Sequence, residues 1–374
     1  MSAIDDYLVS FHEDPGYLNW AAFGPMSPAA RAALATDADL LATGRPEGIA
    51  EVGRRGPEAR AEIAALVGSA PDDVTLHAST SHGLQHALAG LDGTVVASSA
   101  EFPSITITLA RAADASHGRL APRWIMPVGG RVTADAVRAA LDPAVTALVV
   151  SHVDFRSGYR ADLAALREVL GPDRLLIIDT AQSFGAIDAD WSLADVVVGH
   201  GYKWLRAGRG TGFARFTARA RERIRPVLSG FTGTVVPGLP ADEVPDPAPS
   251  GQAYAVSPPD SFAAGRLAVA AAELRAVGAR SVMERLSHNV DAVLEIADRH
   301  RIPVTSPRSA AERAGLVMLA PADPEGFGGV LAAAGVRVTV RSGAVRVAPH
   351  AGTTPETLAL FDDAVAGAGE FIAP

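Results

Sequence analysis

The chain has 374 residues, 33 of them basic and 42 acidic, for a net charge of -9. That balance argues against a general nucleic-acid binder, which needs cationic contacts to phosphate. Cysteine is absent, so disulfides, thiolate metal sites and a cysteine nucleophile are excluded. At about 150 residues per domain, the length suggests two domains, and 48% hydrophobic residues suffice for a large core.

Taken in chain order, the start MSAIDDYLVS carries early acids and no basic segment leading into an apolar one, unlike a signal peptide. No apolar run approaches the ~20 residues that span a bilayer. The expected location is the cytoplasm, with neither membrane nor nucleic acid as a partner. Short apolar runs at Thr94–Ala97, Ala147–Val153, Leu175–Ile178, Asp195–Val198 and Gly212–Phe216 read as strands. Helical spacing appears at Leu84–Leu91, Thr133–Ala140 and Ala161–Leu170. This alternation over Thr75–Phe216 predicts an α/β fold with a mostly parallel sheet covered on both faces.

A proline- and glycine-rich stretch, Gly230–Pro259, includes Pro237, Pro240, Pro245 and Pro258. A loop of that length is expected at a substrate entrance or a subunit contact. Helices are expected at Phe262–Val277 and Ser281–His300. Strands are expected at Gly315–Leu319, Val336–Val340 and Ala344–Val347, followed by a helix with Thr354 as N-cap and Pro355 in its first turn. The expected division is a large domain over 26–260, and a small α+β domain from 1–25 and 261–374.

One count narrows the chemistry. Lys203 is the only lysine, and every other basic residue is arginine. The two are nearly equivalent on a solvated surface, but only lysine offers an amine that readily loses its proton. Lys203 follows the expected strand Asp195–Val198, in Gly199-His200-Gly201-Tyr202-Lys203-Trp204. Asp179-Thr180-Ala181-Gln182 follows the strand Leu175–Ile178. Ligands of open α/β sheets sit beyond the carboxyl ends of strands, and the Asp179-to-Lys203 spacing suits one strand–helix–strand step. An amine placed there can form a Schiff base with an aldehyde. Ser79-Thr80-Ser81 opens a helical stretch, where hydroxyls and free N–H groups suit a phosphate.

A phosphate cradle, an acid and a lysine, in that order, are what pyridoxal 5'-phosphate requires. In these motifs the chain resembles the class V aminotransferase family of fold-type-I pyridoxal-phosphate enzymes. That family includes cysteine desulfurases, kynureninases and isopenicillin-N-epimerase-like proteins. The resemblance runs from Leu18-Asn19-Trp20 to Arg346-Val347-Ala348-Pro349-His350. It implies a large domain with a mostly parallel seven-stranded-type sheet, a small α+β C-terminal domain and a homodimer.

By resemblance, Lys203 is the Schiff-base lysine and Asp179 the partner of the pyridine nitrogen. Gln182 bonds the ring 3-oxygen, Thr80 and Ser81 bind phosphate, and His200 and Tyr202 add contacts beside the lysine. Phe102 stacks on the ring, Arg346 clamps the substrate α-carboxylate, and Ser257 reaches the partner subunit's phosphate. Tyr202 and the His152–Tyr159 segment look kynureninase-like. Gln182 stands where kynureninases usually carry histidine, and Phe155 falls near a position often polar in desulfurases. Desulfurases use a cysteine thiolate, which this chain lacks. The implied reaction passes through a Cα carbanion of an amino acid. It is read first as transamination, with C–S or Cβ–Cγ cleavage or epimerisation as alternatives.

Overall fold

The computed structural model describes residues 2–236, 243–341 and 343–372. Pro237 and Pro240 of the proline-rich stretch lie outside the described residues.

Seven strands form the large sheet: β1 (Val74–His77), β2 (Gly93–Ser98), β3 (Leu120–Ile125), β4 (Val145–Ser151), β5 (Leu175–Asp179), β6 (Val196–His200) and β7 (Gly212–Phe216). Their spatial order is β1-β7-β6-β5-β4-β2-β3, with β7 antiparallel to both neighbours and the other pairings parallel. The central strands β5, β6 and β7 are buried at every residue. This explains their continuous apolar runs, since both sheet faces are covered. Three strands, β8 (Val317–Leu319), β9 (Thr339–Arg341) and β10 (Ala344–Val347), make a second, antiparallel sheet in the order β8-β10-β9. The fold is therefore the expected α/β sheet domain joined to a smaller α+β unit.

The expected strands and helices appear with ends shifted by a few residues, and Thr354 caps the helix Pro355–Gly367 as read. Strand β3 was not expected. It contains Pro122 and pairs with β2 alone at the sheet edge, where a missing N–H is tolerated. The link from β5 to β6 holds turns and a short 3-10 turn at Trp191–Leu193 instead of an α-helix. Within it Gly185 takes φ +91°, and a Cβ there would press on the backbone of Leu205.

Helix Ser261–Val277 lies on helices Pro28–Ala42 and Arg55–Val67, and its apolar face joins the core under the large sheet. A second core gathers Trp20, Trp204, Leu286, Phe327 and Phe361 around the small sheet. We propose that the chain divides at Gly278, which breaks the helix run with φ +83°, instead of at residue 260. No helix among the described residues is long and apolar enough to cross a membrane.

Residues near the N-terminus also fasten the lysine segment. The Gly24 N–H donates to the Tyr202 carbonyl at 2.9 Å, and a Cβ on Gly24 would collide with the Lys203 carbonyl oxygen. Overpacking of this kind costs about 1–3 kcal/mol. Gly24→Ala is therefore expected to lower the melting temperature and to displace Lys203. A thermal melt indistinguishable from that of the native chain would contradict this close packing.

Candidate functional site

The carboxyl ends of four parallel strands converge on one side of the sheet: β2 at Ser98, β4 at Ser151, β5 at Asp179 and β6 at His200. The helices that follow β1 and β2, Thr80–Ala89 and Pro103–Ala115, begin on the same side. A cavity opens between these ends. Eight of the ten expected site residues line it: Thr80, Ser81, Phe102, Asp179, Gln182, His200, Tyr202 and Lys203.

At one end stands the start of the ten-residue helix Thr80–Ala89. Ser79 caps it, accepting from the His82 N–H at 3.3 Å. The first N–H groups of a helix have no carbonyl partner within it, and its dipole favours a negative charge there. Thr80 is buried, and its hydroxyl has no partner. The Ser81 hydroxyl shares a 2.7 Å hydrogen bond with that of Ser104, in the first turn of the neighbouring helix. The His200 ring stacks on Tyr202 with centroids 3.8 Å apart. Its Nδ1 is buried without a partner, and burial, with Lys203 nearby, keeps the ring neutral.

Farther along, Asp179 and Lys203 face the same cavity from the ends of adjacent strands. No ion pair joins them. Burial pushes the Asp179 carboxyl up, while the Ala181 N–H at 2.8 Å and the Lys203 ammonium pull it back. Burial also lowers the Lys203 ammonium; Asp179 opposes that shift, and Arg346, Arg209 and Arg341 add to it. The amine is thus readier to lose its proton than an ordinary lysine. Gln182 donates to the Ala21 carbonyl at 3.0 Å and accepts from the Trp204 indole at 3.2 Å. That leaves one N–H of its amide free.

The cavity fits pyridoxal phosphate on these grounds. Orphaned buried polar atoms, Thr80 Oγ1 and His200 Nδ1, belong to the same lining as a helix start, a carboxyl and an amine. The Phe102 ring meets that of Phe155 edge-on at 5.1 Å, and both line the cavity.

Two expected residues lie outside its lining. Arg346, on β10, is buried; its Nε has no partner, and its Nη2 donates to Thr339 at 3.4 Å. Its charge nonetheless acts on Lys203. Ser257 is exposed and lines a separate cavity with His77, His82 and His86, so it does not reach the lysine of its own chain.

Sequence reasoning missed Ser104, Ser151 and Glu101. Glu101 is buried at the end of β2, where its carboxylate accepts from the Ser151 N–H at 3.0 Å and from the Ser151 hydroxyl. It ties β2 to β4 directly behind Phe102. A charged residue followed by Phe-Pro-Ser gave no signal of such burial.

Comparisons with known proteins bear on the family and the fold. A model of the family described as aminotransferase class-V matches residues 49–349. A kynureninase of Burkholderia mallei (strain SAVP1) is 35% identical over 114 residues, which is 29% of this chain and 27% of the relative. A kynureninase of Deinococcus radiodurans is 27% identical over 269 residues, 68% of this chain and 63% of its own. The chain thus aligns with about a quarter of the first relative and under two thirds of the second. Among solved structures, the cystine C–S lyase C-DES in complex with cysteine persulfide superposes with a TM-score of 0.83. That match covers 96% of this chain and 98% of the other at 19% identity, a likeness of fold.

Glu101 carries a measurable consequence. Burial pushes its carboxyl up to about 7, against the Ser151 bonds and with help from Asp179 and Asp154. Unfolded, it titrates near the ordinary 4.5. Between those values the native state holds the extra proton, so this group's contribution to stability falls as pH rises through the window. Glu101→Gln removes the titration. The stability of the variant relative to the native chain should rise by on the order of 2–3 kcal/mol from pH 4.5 to pH 8. Paired denaturant melts with a pH-independent difference would rule this out.

Proposed function

Because the chain belongs to the class-V aminotransferase family of fold-type-I pyridoxal-phosphate enzymes, we propose that it is a lyase cleaving a bond at Cβ of an amino acid. The observation that carries the Schiff-base chemistry in this reading is the chain's single lysine, buried across one cavity from Asp179 at the ends of adjacent strands. When bound, pyridoxal phosphate supplies an aldehyde for an amine to condense with and a ring that draws electrons from the substrate Cα.

The chain's own groups do the rest in this reading. Thr80, Ser81 and the N–H groups at the helix start hold the phosphate, with His200 Nδ1 and Tyr202 beside them. Ser104 orients Ser81 through their shared hydrogen bond. The Asp179 carboxylate would keep a proton on the ring nitrogen of a bound cofactor, the free Gln182 N–H would serve its 3-oxygen, and Phe102, in the cavity lining, would pack against the ring. The Lys203 amine takes a proton from Cα and returns one, a task suited to a pKa brought down toward neutrality. Arg346 pairs with the substrate carboxylate.

Cleavage has more support than the transamination first expected, because the curated relatives are named kynureninases and the structural neighbour a C–S lyase. With no cysteine in the chain, the group leaving Cβ goes to solution and not to a protein thiolate. Transamination uses the same residues, so the products separate the two. In this reading the enzyme is a homodimer, with Ser257 contributing to the partner's cofactor site. The exposed apolar side chains Phe231, Val235, Val236 and Val256 support such a contact.

The test uses purified holoenzyme. A visible band of the bound cofactor should be fixed to Lys203 by borohydride and be missing in Lys203→Ala, with turnover reduced by at least about a thousandfold. Cleavage releases a shortened amino acid or pyruvate with ammonia. A keto acid formed only when an amino-group acceptor is present would mean transamination. No band after adding pyridoxal phosphate would remove the proposal altogether.

A further inference from the structure

The surroundings of Lys203 run against the charge of the whole chain. The protein carries a net charge of -9, yet the charges bearing on the lysine are three arginines, Arg346, Arg209 and Arg341, against the single carboxylate of Asp179. None of the three forms an ion pair among the described residues, although most exposed arginines of this chain have a carboxylate partner within 4 Å.

Arg341 stands out by position. It ends β9 and pairs across the hairpin with Ala344, while Arg346 on the next strand pairs with Thr339. The hairpin thus presents one buried and one exposed guanidinium on the same side of the Lys203 cavity. The exposed Arg341 guanidinium lies 5.2 Å from the centroid of the Phe155 ring. That ring lines the cavity and meets Phe102 edge-on. Arg156 approaches the same ring at 5.6 Å, but it already has Asp154 at 3.7 Å. Of the two arginines over the Phe155 ring, Arg341 is therefore the one without a carboxylate partner among the described residues. Its charge helps burial lower the Arg346 guanidinium to about 10, so the two repel while nothing negative lies between them.

The cofactor's phosphate does not account for this charge. Its cradle is the hydroxyl-rich start of helix Thr80–Ala89 beyond β1, in a cavity whose lining includes neither Arg341 nor Arg346. An α-carboxylate on Arg346 leaves Arg341 and Arg209 unneutralised, and of these Arg341 lies beside Phe155 while Arg209 lies over the Tyr202 ring at 4.9 Å. We propose that the substrate carries a second anionic group on its side chain, bound by Arg341 while Arg346 holds the α-carboxylate. The inference rests on the reading of the cavity as an amino-acid lyase site and adds the substrate class: an amino acid with an acidic side chain. Phe155 supports Arg341 through its ring face and keeps water from the aliphatic part of the substrate.

The experiment measures binding to the holoenzyme by calorimetry, using amine-free probes that cannot react. Succinate and glutarate should bind at least about tenfold more tightly than propionate and butyrate. Arg341→Gln should weaken succinate at least about tenfold and propionate less than twofold, with Arg341→Lys in between. Raising the salt concentration should narrow the succinate preference, because the site is at an exposed rim. Turnover of aspartate, cysteine sulfinate and O-phosphoserine beside alanine then distinguishes carboxylate, sulfinate and phosphate side chains. Equal affinity for mono- and dianions, or an Arg341→Gln loss shared by both probes, overturns the inference. A missing cofactor band overturns the enzymatic reading separately, because the probes need no chemistry.

Discussion

A buried lysine amine faces two opposing demands. Burial favours its neutral form, and the carboxyl of Asp179 favours the charged one. The balance depends on where the backbone places the side chain, and the backbone here is tightly fastened. The Gly201 N–H donates to Thr211, the Ala207 N–H to Gly201 and the Arg206 N–H to Lys203. The His350 ring bonds the Trp204 carbonyl at 2.8 Å. Arg206, three residues past the lysine, takes φ +59° although it is not glycine, a conformation that costs energy unless its surroundings impose it. They do: its buried guanidinium lies 3.9 Å from the Phe11 ring and 4.7 Å from Tyr7, and donates to Ser10.

The same fastening joins the two units of the fold. His350 follows β10 and reaches the lysine segment, and Asn289 fixes its loop by donating to the carbonyls of His350, Ala351 and Thr353. Arg346 precedes that loop on the same strand. A shift of the small sheet would therefore move Arg346 and press on the backbone of Trp204 together. The Arg346 guanidinium and the segment carrying Lys203 are held in register by one run of chain, from Arg346 to His350.

Much of this was legible in the sequence, and the illegible parts have physical causes. Strands β4 to β7 showed as apolar runs because they are covered on both faces. The residues at their ends could be placed because ligands of such sheets gather there. Strand β3 was hidden by Pro122 and by its half-exposed edge. Lys203 was visible through a composition that uses arginine everywhere else. Ser104 and Glu101 were not, because their roles arise from pairing across strand order: Ser81 with Ser104, and Glu101 with Ser151, 50 residues on. Nothing in the sequence around Arg341 announces its approach to the Phe155 ring.

The arginine bias also bears on the chemistry. A guanidinium, even one lowered as Arg346 is, stays protonated near neutral pH and makes planar, bidentate contacts with carboxylates. Cations around an aldehyde-binding lysine can thus tune and bind without competing for the aldehyde. Lysines at positions 341 and 346 would lower the Lys203 pKa as well, but each would offer a second amine. With arginine there, the cavity keeps one reactive nitrogen. In the proposed reading, hydroxyls and helix N–H groups serve a group that stays bound, where no extra charge is required, and guanidinium groups serve a group that must come and go, where a long-range charge draws an anion toward an otherwise acidic protein.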